Sequence, residues 1–321
     1  MSKEFIHIGE AMQEVLERAQ AMSKNFERSK SQTERSDAEC KACNDTGFLI
    51  EEIEEELKLK DQPPIKVKKD VGRPCHCVKQ KSLKNRFKNA LIPEEFKNAR
   101  FDNYVVETET QGLLLNATKE YLQEFPRIIK EKPEHNSLGF IAVFGESRIR
   151  SLEGEEKYRA KAEHNNFGIG KTHLQMAAAK WMLNRIRIRD EIAPGQYSKF
   201  DRGCRVLCVS DASFMDELIN ARMAGDGGET LNKLLESVIN ADVLVWDDLG
   251  KAKWSESKES LYYQIINERY LHKRPILFSS NEDKGTLSDK IGYAASSRLF
   301  GMCGDRLYQV EGEDYRLRKG S

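Results

Sequence analysis

No stretch of the 321-residue chain is apolar for long enough to cross a bilayer as a helix. Neither sign of charge is in surplus either: 52 Lys and Arg stand against 52 Asp and Glu. The first absence predicts a protein with no membrane span. The second argues against a uniformly basic nucleic-acid coat, although local patches survive a balanced total. The N-terminus, Met1-Ser2-Lys3-Glu4, lacks the apolar core of a signal peptide. A cytoplasmic, reducing location is therefore predicted, where disulfides are not expected. The seven cysteines then need another explanation. The length suggests one large or two modest domains.

What is present centres on Phe167-Gly168-Ile169-Gly170-Lys171-Thr172. It follows the apolar run Leu138–Phe144 and opens a helical pattern through Leu174, Ala177, Ala178 and Trp181. Strand, glycine turn, Gly-Lys-Thr and helix is the context of a phosphate-binding loop. Glycines let backbone N–H groups close around phosphate oxygens, and the helix N-terminus adds the positive end of its dipole. Lys171 would reach the β- and γ-phosphates, and the Thr172 hydroxyl would ligate Mg²⁺. The natural first glycine is Gly145, directly after the strand. The span from Glu146 to Ile169 exceeds the usual four intervening residues by a charged run, Ser147 to Asn166. Three readings stand open: a solvent-facing bulge that leaves the cradle intact, an altered phosphate site, or a loop that never becomes active.

Downstream, Val243-Leu244-Val245-Trp246 ends in Asp247-Asp248. A buried strand whose C-terminal end carries two carboxylates is the Walker B arrangement. Asp247 would hold Mg²⁺ through water, and Asp248 would orient or activate the attacking water. Pro275–Asn281 is a second apolar strand, placing Asn281 beside them at the γ-phosphate. Helices are predicted over 113–125, 171–188 and 214–222, in a segment holding Leu231 to Val238, and around 262–270. A further β-rich run covers 205–210.

Ahead of this region, residues 5–26 carry apolar positions at helical spacing. They precede a polar linker over 29–39 and form either a helix packed on its own protein or a docking helix for a partner. Cys40-Lys41-Ala42-Cys43 and Pro74-Cys75-His76-Cys77 are two tight pairs that together suit a tetrahedral Zn²⁺, with His76 able to replace one thiolate. Cys204, Cys208 and Cys303 read as core residues. The basic run over 78–100 has an apolar side at Leu83, Phe87 and Leu91, the pattern of a solvated helix.

The set of motifs resembles the AAA+ ATPases, and within them bacterial and phage replicative-helicase loaders of the DnaC/DnaI type. It rests on Cys40–Phe48, Pro74–Cys77, Ala99-Arg100-Phe101-Asp102-Asn103-Tyr104, Gly168–Leu174, Val245–Gly250, Ser279–Asn281, Ser297-Arg298-Leu299 and Asp314-Tyr315-Arg316-Leu317. The resemblance implies an α/β fold: an AAA+ domain over 95–321 with a parallel sheet flanked by helices. Before it would come a helix and linker over 1–39 and a zinc-binding segment with a basic helix over 40–94. It implies ATP on Gly145, Gly168, Ile169, Gly170, Lys171, Thr172, His173 and Asp247, with Mg²⁺ at Thr172 and Asp247. Asn281 would be the sensor-1 residue, Arg298 an arginine finger toward a neighbouring subunit, and Arg316 a weaker candidate for sensor 2. Zn²⁺ would sit on Cys40, Cys43, Cys75 and Cys77. The implied partners are a hexameric replicative helicase, single-stranded DNA and, with ATP, further copies of the chain. Arg185, Arg187 and Arg189 are candidate DNA contacts, or a solvated helix end. An IstB-type transposition helper and a non-hydrolysing adaptor remain as alternatives.

Overall fold

The computed structural model describes residues 38–57 and 65–315. The expected helix over 5–26, most of the linker over 29–39 and Arg316 lie outside the described residues. The described residues fall into two compact units, divided between Lys81 and Ser82.

The smaller unit is a hairpin of β1 (Phe48–Leu57) and β2 (Ile65–Pro74), antiparallel from Phe48 opposite Pro74 to Leu57 opposite Ile65. Two of its large apolar side chains gain little burial: Phe48 is 58% and Ile50 60% exposed. What is buried is four cysteines with Leu49 partly packed on them. Helix α1 (His76–Asn89) begins here with Cys77 in its first turn.

The larger unit takes up the rest of the chain. Helix α2 (Glu109–Glu131) starts at a capping box in which the Thr108 hydroxyl accepts from the Gln111 amide. Strand β3 (Leu138–Ala142) leads to two short helices, α3 (Glu146–Ser151) and α4 (Gly154–Glu163), then to α5 (Lys171–Arg185). A nested arm follows: β4 (Arg187–Ile188) pairs with β7 (Arg202–Gly203), and inside it β5 (Glu191–Ala193) pairs with β6 (Gln196–Tyr197). Then come β8 (Val206–Ser210), α6 (Asp211–Arg222), α7 (Glu229–Asn240), β9 (Val243–Asp247), α8 (Glu256–Leu271), β10 (Ile276–Ser279), α9 (Lys284–Ile291), α10 (Tyr293–Cys303) and β11 (Leu307–Val310). The helix expected to reach 188 stops at Arg185, where the β-branched Ile186 and Ile188 enter extended backbone. Among the described residues no helix is long and apolar enough to cross a membrane.

Five strands form one parallel sheet in the order β11-β3-β10-β9-β8. Side chains alternate across it, as the two-residue period of a strand requires. Val243 and Val245 of β9 join Leu114 and Tyr121 of α2 and Leu174 and Met182 of α5 on one face. Leu244 and Trp246 join α6 to α10 on the other. Both faces are covered, which is why the strands read as near-continuous apolar runs. Trp246 is fully buried, and its indole N–H donates to Asp211 at 3.0 Å. Asp211 also accepts from the Tyr262 hydroxyl and the Ala252 amide, fixing the backbone just past β9. Burial raises the Asp211 carboxyl to about 6.

Candidate nucleotide-binding site and metal centre

The C-terminal ends of β9 and β10 meet the N-terminus of α5, and the predicted chemistry gathers there. Lys171 is 6% exposed. Its ammonium donates to the Asn166 carbonyl at 3.0 Å, the Ser280 carbonyl at 3.1 Å and Asn281 Oδ1 at 2.8 Å. Burial pushes this lysine down to about 8, against the pull of Asp248 and Asp247. The Thr172 hydroxyl donates to Asp247 at 2.9 Å, as does the Ser279 hydroxyl at 2.7 Å. Burial, then the neighbouring Asp248, raises the Asp247 carboxyl. Asp248 sits in left-handed backbone at φ 53°, a conformation uncommon outside glycine that the surroundings must hold. Its amide donates to Ser279 Oγ at 3.2 Å, and its carboxylate accepts from Asn281 Nδ2 at 3.1 Å. Asn281 thus bridges the lysine and the second carboxylate.

The turn before Lys171 needs its glycines. Gly170 has φ 91°, and a Cβ there would come within 2.5 Å of the Tyr104 ring. The Tyr104 hydroxyl donates to the Ile169 carbonyl at 3.0 Å. His173 places Nε2 2.9 Å from the Arg100 carbonyl and its ring 5.5 Å from that of Tyr104. At Gly168, φ 66°, a Cβ would fall inside the Asp314 carboxyl group.

Gly145 stands differently from expectation. Its amide donates to Asp283 at 2.9 Å and is not available to a phosphate. The segment between it and the loop is no loose bulge. Helices α3 and α4 bury Ile149 and Ala160. Arg148 grips Asp283 with two bonds of 3.0 and 3.1 Å. Although burial opposes it, Arg148 and the amides of Thr286 and Gly145 hold the Asp283 carboxyl down to about 2. The last residues of the segment re-enter the loop itself: Asn166 supplies the carbonyl that Lys171 meets, and its side-chain amide donates to the Phe144 carbonyl at 2.7 Å.

Sequence reasoning missed the strap that follows β11. The Gly312 amide donates to the Asn165 carbonyl at 2.9 Å, and the Tyr315 amide to the Gly168 carbonyl at 3.2 Å. His164 Nδ1 lies 2.9 Å from Glu311. The first two are backbone pairings across some 150 residues of sequence, which no local pattern announces. Arg298, on α10, lies over the Tyr263 ring at 5.1 Å and donates to the Ala294 carbonyl at 2.9 Å. None of its bonds among the described residues reaches its own chain's phosphate loop.

In the smaller unit the sulfurs of Cys40, Cys43, Cys75 and Cys77 all lie within 4.8 Å of one another, and all four residues are buried. Cys40 and Cys75 are 3.8 Å apart, and Cys43 and Cys77 3.4 Å. Metal–sulfur bonds of about 2.3 Å in a tetrahedron give edges of about 3.8 Å, so the donor set fits Zn²⁺. His76 is exposed, with Nδ1 3.5 Å from Cys75 Sγ, at the margin of this tetrad. Although burial opposes it, the Gly47 amide and the Cys77 thiol hold Cys43 down to about 7, and Cys43 in turn pushes Cys77 up.

The sheet order, the buried lysine at a glycine turn and the paired carboxylates at the end of the neighbouring strand define a parallel-sheet α/β fold of the phosphate-loop type. Residues 191–321 match the family described as "IstB-like ATP binding protein". The chain is similar to the phage-like element PBSX protein XkdC of Bacillus subtilis, 26% identical over 271 residues, 81% of this chain and 84% of that protein. It is also similar to the replicative helicase loader DnaC of Escherichia coli (strain K12), 24% identical over 237 residues, 74% of this chain and 76% of that one. A crystal structure of the DnaC helicase loader overlaps it with a TM-score of 0.46 at 20% identity, covering 65% of this chain and 96% of that chain.

Proposed function

We propose that this protein is an ATP-dependent loader of a replicative DNA helicase. In this reading the AAA+ domain binds ATP and single-stranded DNA, and the N-terminal region binds the helicase. The observation that carries it is the cluster of Lys171, Thr172, Asp247, Asp248 and Asn281 at one sheet edge. It supports a phosphate-binding lysine, a Thr–Asp pair for Mg²⁺, and Asp248 and Asn281 at the attacking water. Similarity to a protein titled replicative helicase loader, across three quarters of this chain, supports the loading role. Turnover is slow, and ATP serves as a switch for assembly.

Co-purification with the replicative helicase tests this reading. Replacing Val15 and Leu16 with Asp, in the apolar face of residues 5–26, should abolish capture of the helicase and leave ATPase activity intact, as expected of a helix-in-groove ligand. Loss of ATPase activity in the same variant would show that the segment is core, and the division of labour would fall.

Arg298 is proposed to complete a neighbouring subunit's nucleotide site. Its contacts with exposed Tyr263 and with the Ala294 carbonyl, neither of them in the phosphate loop, support a role in trans. Arg298→Ala should keep ATP affinity within about twofold, the range of a surface change, and lower assembly-dependent hydrolysis by about 10³-fold or more. Hydrolysis at the parental rate on DNA would remove Arg298 from the site.

The match of residues 191–321 to the IstB-like family favours a second reading, a transposition helper. The cysteine tetrad ahead of the ATPase domain favours the loader, and failure of helicase capture with normal ATPase activity would favour the helper. A chain that does not bind a labelled ATP analogue would instead be a nucleotide-free adaptor.

A further inference from the structure

A large cavity among the described residues lies away from the nucleotide site. It is an open groove of about 1160 Å³ at the opposite edge of the sheet, where β8, β9 and β10 begin. The nested arm over 187–203 forms one wall, and the C-terminal ends of α2, α7 and α8 form the other. Small-molecule pockets run to about 300–1,000 Å³ and are mostly apolar. This one is larger and is lined by eight Lys and Arg against four Asp and Glu.

The acidic groups are already engaged. Arg202 binds Asp190 at 2.7 Å and Asp242 at 2.5 Å, Arg189 binds Asp201 at 2.7 Å, and Glu191 accepts the Gly195 amide at 2.8 Å. These bonds brace the arm. They leave Lys130, Lys132, Arg187, Lys273 and Arg274 with no carboxylate partner among the described residues. Two of these lysines stand where glycine is the default: Lys132 caps α2 at φ 49°, and Lys273 follows α8 at φ 51°. A bulky side chain held in left-handed backbone at two of the three helix ends that meet this groove points to a use for the charges. Tyr197, 57% exposed, lines the groove with the cations, and the arm also carries Phe200, 82% exposed.

We propose that this groove binds single-stranded nucleic acid, with Lys132, Arg187, Lys273 and Arg274 on the phosphates and Tyr197 and Phe200 stacking on bases. Backbone-directed cations beside sequence-tolerant ring faces are what an extended single strand needs. An acidic peptide would use the cations alone and leave both rings unused. The site is separate from Lys171 and Asp247, so strand and ATP bind together. The proposal rests on the reading that this chain engages single-stranded DNA; of the candidate contacts Arg185, Arg187 and Arg189 it keeps Arg187 on the phosphates and adds the arm's rings and the wall it faces.

The test is fluorescence anisotropy of a labelled oligothymidylate with the full chain and saturating ATP. The double variant Arg187→Glu/Lys273→Glu should weaken binding at least tenfold at low salt and reduce the slope of log K against log[salt] by about two. Tyr197→Ala should weaken it roughly tenfold with the slope unchanged. The control Lys119→Glu, on the exposed side of α2, should match the parent, and all variants should bind a fluorescent ATP analogue normally. Oligothymidylate binding that is salt-sensitive in the parent but indifferent to these variants overturns the groove and leaves the loader reading standing. No oligothymidylate binding by the parent overturns both. Loss of polyglutamate binding alone in the variants makes the groove an acidic-peptide site and overturns the proposal. Should a variant lose ATP binding as well, photocrosslinking of bromodeoxyuridine oligonucleotide to the unmodified chain decides. Adducts at Tyr197 or Phe200 support the groove, and adducts confined elsewhere overturn it.

Discussion

Lys171→Ala should lower ATP affinity by about 10²–10³-fold. A charge-assisted hydrogen bond is worth about 1.5–3 kcal/mol, and the lysine would make two or more of them to the β- and γ-phosphates. The site is organised around this cation, whose three bonds go to Asn166, Ser280 and Asn281. Alanine therefore removes both the phosphate ligand and the group that aligns Asn281. Asp248→Asn should bind ATP within a few-fold of the parent and fail to hydrolyse it, because the lost charge acts on the attacking water. Filter binding and a phosphate-release assay separate the two effects. Parental hydrolysis by Lys171→Ala would mean that the loop does not hold the reacting phosphate.

The same lysine predicts a pH dependence. Its pKa is lowered from 10.5 to about 8 by burial, a cost of about 3 kcal/mol to the charged form. Phosphate would favour the ammonium and restore the higher value. Below about pH 8 the free site is charged and affinity is flat. Above it the free lysine is neutral, and binding must take up a proton, so affinity should fall by up to tenfold per pH unit toward 10.5. For folding of the empty protein the sign is opposite. Between about 8 and 10.5 the unfolded chain binds the extra proton, so this group makes the fold more stable as pH rises. Calorimetry in buffers of different ionisation heat should show proton uptake near pH 9 and little near pH 7. No uptake at either pH would place the lysine away from the phosphates.

Much of this was legible in the sequence for physical reasons. A sheet buried on both faces forces the apolar runs at 138–144, 205–210, 243–247 and 275–281, and the residues that end them fall at one edge. Asp247, Asp248 and Asn281 were readable because each follows such a run directly. Gly145 was misplaced for an equally physical reason. Glycine spacing assumes that the loop follows the strand immediately, whereas here α3 and α4 intervene and Asn166 enters the turn in their stead. The expected helix of 171–188 took in the first two residues of the arm over 187–203, and no strand was expected in it, because its strands are two or three residues long, below the length at which alternation can be seen. The strap over 311–315 is set by backbone bonds, which leave no mark on side-chain pattern.

The cysteine tetrad carries the other large expected effect. Among the described side chains of the hairpin of β1 and β2, Leu49 packs partly on the four cysteines, while Phe48 and Ile50 are exposed. An isolated two-stranded hairpin is marginal in water. Something else must hold Cys40 and Cys43 against Cys75 and Cys77, across a gap of 31 residues. A structural Zn²⁺ contributes apparent binding energies of about 10–16 kcal/mol, far more than that burial can. Purified protein should therefore contain one zinc per chain. Cys43→Ser/Cys77→Ser, or a strong chelator, should unfold the unit that ends at Lys81 while the unit from Ser82 keeps its ATP affinity. Two-dimensional NMR of the full chain reads both at once. The hairpin amides should collapse to random-coil positions and return on adding Zn²⁺ to the chelated parent, but not to the double variant. A metal-free sample whose hairpin amides remain dispersed would show that the thiols hold the unit together without an ion.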